Sequence, residues 1–418
     1  MVSSVFSVLF IVFFALMLSV KFWLASRQIR HVLTHRAAVP AQFSGTITLA
    51  AHQKAADYTV AKTKFALIEL FVGAVVLIGF TFLGGLQALS IVLLQNSGPG
   101  RLEQIALMVA VTAITGAIDL PFDYYRQFTL EERFGFNKMK PALFFMDLVK
   151  STLVSAVIGL PLLWVVLVLM EKAGSLWWLY AWLVFSGFSI LMQVLYPTLI
   201  APLFNKFTPL EDTSLKERIG KLMERVGFAS RGLFVMDGSK RSGHGNAYFS
   251  GFGTAKRVVF FDTLLSRLRP EEIEAILAHE LGHFKLKHIV KRTVLMFALS
   301  LAFLALLGYL KTQAWFYVGL GVEPLMNSSN DAVALVLFML ALPVFTFFFS
   351  PVMSIGSRKH EYEADAFAAQ QADAHDLVSA LVKLYEDNAS TLTPDPLHSA
   401  FYDSHPNAAM RIDRLLAH

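Results

Sequence analysis

The chain has 418 residues, of which 55% are hydrophobic and only 16% charged, with a formal net charge of +5. A soluble protein carries about 25% charged residues, so this composition excludes an ordinary soluble domain and points to the membrane. The modest positive charge fits basic loops on one membrane face rather than nucleic-acid binding, and the absence of cysteine excludes disulfides, thiolate metal sites and a cysteine nucleophile.

In chain order, apolar runs near the roughly 20 residues a spanning helix needs lie at 4–24, 65–95, 104–121, 144–170, 175–200, 294–311 and 332–353. The first is too long for a signal peptide and no small-residue cleavage site follows it, so it is expected to be an anchor. The second contains Gly84 and Gly85 and is expected to be one kinked span with an interfacial turn. The segment after the first span carries Arg27, Arg30, Arg36, Lys54, Lys62 and Lys64, with Asp57 as its only acid. The loop after the third carries Arg126, Arg133, Lys138 and Lys140, and the long segment after the fifth is rich in Lys and Arg. The loops after the second, fourth and sixth hold little beyond Arg101, Lys172 and Lys311. Alternate basic loops predict seven spans, the N-terminus outside and the C-terminus in the cytoplasm. Lys21, at the end of the first span, suits snorkelling; Asp119, Asp147 and Lys150, in or beside apolar runs, suit a polar interior.

The expected layout is therefore all-α and polytopic. Five spans occupy 1–200, and polar segments at 201–293 and 354–418 are joined by a two-span hairpin over 294–353. The polar segments lie on one membrane side and together are expected to form one cytoplasmic domain.

Within the first polar segment, PEEIEAILAHELGHFKLKH (270–288) reads as a helix. Pro270 suits its first turn, and Glu271, Glu272 and Glu274 suit the positive end of its dipole. Ile273, Ile276, Leu277, Leu281 and Phe284 recur at helical spacing. His279 and His283 are then i, i+4 on one face and can converge on one ion. Glu280 lies next to them as a general base that does not ligate, the arrangement used in metal-dependent hydrolysis. A third ligand is required. The HExxHxxGxxH pattern would need Gly at 286 and His at 289, where the chain has Leu286 and Ile289; His288, one residue out of place, reads as a neighbour or a surface residue.

Beyond the last span, SRKHEYEADAFA (357–368) is again helical. Glu361 and Asp365 share a face, so Glu361 can ligate while Asp365 accepts a hydrogen bond from a ligand histidine. Spacing leaves Glu363 as a competing ligand. The motif ends about ten residues before one span and Glu361 follows about ten residues after the next, and ten helical residues rise about 15 Å. An antiparallel hairpin of spans therefore returns both to a similar height. Two histidines, a carboxylate and an open fourth position suit one catalytic zinc per chain.

HELGH with SRKHEYEADAFA is similar to the gluzincin-type membrane metalloproteases. The likeness extends to PAQFSGTITLAAHQKAADYTVAKTKF (40–65), LPFDYYRQFTLEERFGFN (120–137), YPTLIAPLFNKFTPL (196–210), GSKRSGHGNAYFSGFG (238–253) and SHPNAAMRIDRL (404–415). In order along nearly the whole chain, these resemble the type I CAAX prenyl endopeptidase family of integral membrane zinc metalloproteases. The resemblance implies seven helices enclosing a chamber and a zincin-like α+β metalloprotease domain on the cytoplasmic side. It implies His279, His283 and Glu361 as zinc ligands and Glu280 as base. Asn246, Ala247, Tyr248 and Phe249 would form a strand edge that binds extended substrate. His405 would face the zinc where it can stabilise an oxyanion, and Arg411 would lie near the site.

The implied partners are a peptide or protein substrate and the lipid bilayer, with no nucleic acid and no implied oligomer. Two substrate classes stay open: prenylated chains carrying the C-a-a-X signal, and membrane proteins generally, a quality-control role. A compact chain of this kind suits a bacterial inner membrane; in a eukaryote the endoplasmic reticulum is the expected membrane. The reading from another class is a catalytically silent zinc-binding receptor, transporter or scaffold, for which the base Glu280 has no use.

Overall fold

A computed structural model describes residues 1–230, 232–250, 257–325 and 328–417. Residues 251–253, the tail of the GHGNAYFSGFG stretch, lie outside the described residues. Among the described residues, seven helices are long and apolar enough to cross a membrane: Val2–Thr34, Leu49–Phe80, Arg101–Glu131, Pro141–Lys172, Gly174–Phe204, His288–Leu310 and Asp331–Gln371. Most are longer than a bilayer needs, so their ends project into the polar layers.

The second span differs from its sequence reading. It starts early, at an N-cap where the Thr48 hydroxyl accepts from Ala51 N–H at 3.2 Å, and it stops at Phe80. It is broken rather than kinked: Gly84 adopts φ +75°, and a Cβ on Gly85 would lie 2.6 Å from the Gly79 carbonyl oxygen. Residues Gly85–Ser97 form a separate helix of 13 residues, about 20 Å long at 1.5 Å per residue and too short to cross.

The seventh span is the central post. Of its apolar stretch 44% is buried in protein, against at most 17% for any other span. Around it gather Phe10, Leu24, Leu107, Leu167, Phe316 and Leu320, all 0–1% exposed.

The polar segments build a second core. A four-stranded sheet has strands β1 (Phe207–Pro209), β2 (Leu233–Met236), β3 (Ala247–Ser250) and β4 (Arg257–Phe261) in the order β1-β2-β4-β3. Among the described strands, only β2 and β4 run parallel. Val258, Phe260 and Leu264 pack with Ile219, Leu222, Leu277 and Leu281, with Ala368 at the end of the last span, and with Leu377 and Leu415 beyond it. Both polar segments thus bury apolar surface in one core, and neither has it alone.

The helix Pro270–Lys285, called here the motif helix, begins with Pro270 in its first turn. The buried Glu272 carboxylate accepts the Arg269 N–H at 2.7 Å, the Ser379 hydroxyl at 2.7 Å and the Lys383 ammonium at 2.8 Å. Burial alone would push this carboxyl up, but those donors outweigh it and hold it at about 2.

Candidate metal centre

The motif helix crosses the helix Ser350–Gln371, called here the ligand helix, which forms the C-terminal part of the seventh span. Gly282 permits the crossing: a Cβ there would lie 3.0 Å from Ala364 Cα and 3.1 Å from its carbonyl oxygen. At that closeness the ligand-helix carboxylates reach the motif histidines. His279 Nε2 and His283 Nε2 are 3.2 Å apart, and they lie 3.5 and 3.3 Å from the two oxygens of Glu361. Bonds of 2.0–2.1 Å to a tetrahedral ion put ligand atoms about 3.3 Å apart, so the three side chains match the edges of such a cage. Glu361 Oε2 is also buried without a hydrogen-bond partner. A buried acceptor with no donor is costly, and a cation between these acceptors would satisfy it.

Behind the cage His279 Nδ1 lies 2.8 Å from Asp365 Oδ1. Arg411, 6% exposed, grips Asp365 through Nε at 2.8 Å and a terminal nitrogen at 2.6 Å. With Nδ1–H donated to Asp365, the Nε2 lone pair of His279 faces inward. Without an ion, burial opposes charge on His279, but Asp365 and Glu361 outweigh it and raise the ring to about 9. A metal must displace that proton to bind.

Glu280, half-buried, stands beside His279 on the motif helix. His405 Nε2 is 3.5 Å from Glu361 Oε1, its side chain is 62% exposed, and its Nδ1 meets the Ser404 hydroxyl at 2.9 Å. His405 therefore faces the open side of the cage, whereas Arg411 is committed behind it. Ala247–Ser250 is the edge strand β3. Phe261 N–H donates to Asn246 O at 3.0 Å. In the alternation of an antiparallel pair, this turns the backbone groups of Ala247 and Phe249 toward the open edge. The Ala247 N–H is meanwhile held by the Asn246 side chain at 2.8 Å. Phe249 packs on Phe228, which packs on Phe284 of the motif helix, at ring separations of 5.0 and 4.9 Å.

Glu363, the competitor from spacing, faces elsewhere: its Oε2 lies 2.9 Å from His288 Nε2. His288 is not a surface residue. It is 3% exposed, and its Nδ1 is 3.0 Å from His283 Nδ1. Periodicity could not find this contact, because the chain turns at Lys287, which takes the left-handed φ of 58°.

Comparison with known proteins agrees along the length of the chain. The model of the CAAX prenyl protease N-terminal region, described as five membrane helices, matches residues 28–206, and that of peptidase family M48 matches residues 209–418. CAAX prenyl protease 1 homolog of Arabidopsis thaliana is 36% identical over 386 residues, 90% of this chain and 89% of its own. CAAX prenyl protease 1 of Saccharomyces cerevisiae is 35% identical over 386 residues, 87% and 85% of the two chains. The crystal structure of S. mikatae Ste24p matches with a TM-score of 0.91 at 31% identity, over 98% of this chain and 99% of that one. With seven helices among the described residues able to cross a membrane and three side chains that could hold a metal, the chain belongs to peptidase family M48 and is an integral membrane metalloendopeptidase.

Proposed function

We propose that the enzyme works with one zinc ion on His279, His283 and Glu361, and that Glu280 is its general base. The observation that carries this reading is the convergence of three acceptors at 3.2–3.5 Å, one of them a buried carboxylate oxygen without a donor. Zinc held there supplies Lewis acidity, making water a stronger acid and polarising the scissile carbonyl. Glu280 accepts a proton from the attacking water and delivers it to the leaving amine. His405, on the open side, donates toward the oxygen that gains charge. Asp365 and Arg411 keep the His279 lone pair directed inward. Substrate adds as a strand to the free edge of β3, through the backbone of Ala247 and Phe249, which tolerates many sequences.

The names of the plant and yeast relatives support prenylated CAAX chains as the substrate class. Alternating basic loops support the N-terminus outside and the metal centre in the cytoplasm. We divide the chain into a five-span region over 1–200, a protease domain over 201–293 and 354–418, and the connecting hairpin over 294–353. The sparse packing of six spans, at most 17% of whose apolar stretches is buried in protein, supports a wall of helices around a chamber.

The test is cleavage of a farnesylated CAAX peptide and its unprenylated counterpart, with and without a chelator. Cleavage is expected to favour the farnesylated peptide and to stop with the chelator. Glu280→Ala should keep its metal and lose at least about a hundredfold in rate, the lower end of what general-base catalysis supplies. Wild-type rates in that variant would refute the assigned base. Glu361→Ala should lose the metal on elemental analysis.

A further inference from the structure

We infer that His288 and Glu363 form a relay that positions His283, as Asp365 and Arg411 position His279; this rests on the zinc reading above. To present its Nε2 lone pair to an ion, His283 must carry its proton on Nδ1. That nitrogen lies 3.0 Å from His288 Nδ1, which must therefore accept. The proton of His288 then sits on Nε2, 2.9 Å from Glu363 Oε2, an acceptor. A single choice of tautomers satisfies every contact in the chain, and any other sets two donors or two lone pairs against each other.

The relay is built rather than incidental. His288 is 3% exposed, and its ring stacks on His360 at 4.1 Å with planes 14° apart, which fixes its orientation. Left-handed Lys287 separates the motif helix from the sixth span, which starts at His288, and so turns the ring back toward His283. The two glutamates in HEYEAD thus have separate tasks: Glu361 faces the ion, and Glu363 anchors the relay.

The same residues raise a rival use. Ligand atoms of His288, His360 and Glu363 lie within 4.8 Å of one another and could hold a second ion. Two features oppose it. Parallel stacked rings send their lone pairs side by side rather than to one point. An ion on His288 Nε2 would also move that ring's proton to Nδ1, against the Nδ1–H of His283.

The test measures zinc affinity of the full-length chain in detergent, by competition with a chromophoric chelator, alongside thermal unfolding. His288→Leu is expected to weaken zinc binding by about 10–100-fold. His288→Asn should recover most of that loss, because its amide oxygen can replace Nδ1 as acceptor. Glu363→Gln, which still accepts from Nε2–H, should bind nearly as wild type does, and Glu363→Ala should bind several-fold more weakly. A structural filler would not distinguish Asn from Leu by acceptor. Wild-type affinity in His288→Leu, or in Glu363→Ala should the former not fold, would overturn the relay and leave the zinc centre standing. So would Asn binding no better than Leu, or a second zinc equivalent lost in Glu363→Ala. A wild-type chain that takes up no zinc would overturn the centre and the relay together.

Discussion

Arg411 has almost no access to water, being 6% exposed, and its charge is matched by Asp365. Removing one partner of a buried pair strands the other, at a cost of about 3–5 kcal/mol. Arg411→Ala should therefore lower the unfolding temperature and weaken the metal, since Asp365 then has no support for holding His279. Arg411→Lys keeps the charge but not the two-pronged grip, and should fall between wild type and Ala when both variants are assayed for bound metal. Glu272 makes a pH prediction. Its carboxyl is held at about 2 in the folded chain, against about 4.3 when unfolded. A depressed acid contributes stability that is complete above the unfolded value and is lost as pH falls toward the folded one. Wild type should thus lose more thermal stability between pH 5 and pH 2.5 than Glu272→Gln, and equal losses would exclude Glu272 as a source of acid sensitivity.

At the scale of elements, the site exists because the motif and ligand helices cross at Gly282 and Ala364. An added methyl at Gly282 would meet backbone at 3.0 and 3.1 Å, which cannot yield as a side-chain tip can. Gly282→Ala should cost about 1–3 kcal/mol through overpacking and spread the cage, so that metal affinity falls with stability in a titration of the variant. The edge strand supplies a separate prediction. Proline is tolerated where an edge N–H faces outward, as at Ala247. Ala247→Pro should keep its metal and remove the N–H that substrate would take over from the Asn246 side chain, at about 0.5–1.5 kcal/mol, seen as a several-fold fall in kcat/KM. Unchanged kcat/KM would exclude the Ala247 N–H as a substrate donor.

Across the whole molecule, polar ties hold the polar segments onto the spans. Arg241 meets Asp147 of the fourth span at 2.8 and 3.1 Å and Asn205 at 2.9 Å. Arg27 of the first span meets Asp395 at 2.9 and 3.2 Å. Asp147, which suited a polar interior on sequence grounds, is thus a docking residue, and Lys150 is spent on the Leu203 carbonyl at 3.1 Å. Asp119 does line a cavity, with Glu69, Asp123 and Arg126. Charged hydrogen bonds contribute about 1.5–3 kcal/mol each, so Asp147→Ala and Arg241→Ala should each lower the unfolding temperature. The exchanged pair Asp147→Arg with Arg241→Asp should recover part of the loss, and no recovery would argue that the contact is packing alone.

The sequence by itself determined what local periodicity and composition carry. Seven spans follow from hydropathy, because lipid demands apolar length. His279 and His283 on one face, with Glu280 beside them, follow from the helical repeat. The tertiary structure decided what depends on how helices meet. Glu361 and Glu363 lie two residues apart on one helix, and only the crossing at Gly282 shows which faces the histidines. Lys287 adopts a left-handed turn that its residue type does not advertise, so the approach of His288 to His283 could not be read from spacing. The pairing of Arg411 with Asp365 joins residues 46 positions apart within the second polar segment, and no local rule reaches across that distance; it took the packing of the helix Ala408–Leu416 against the ligand helix to bring them together.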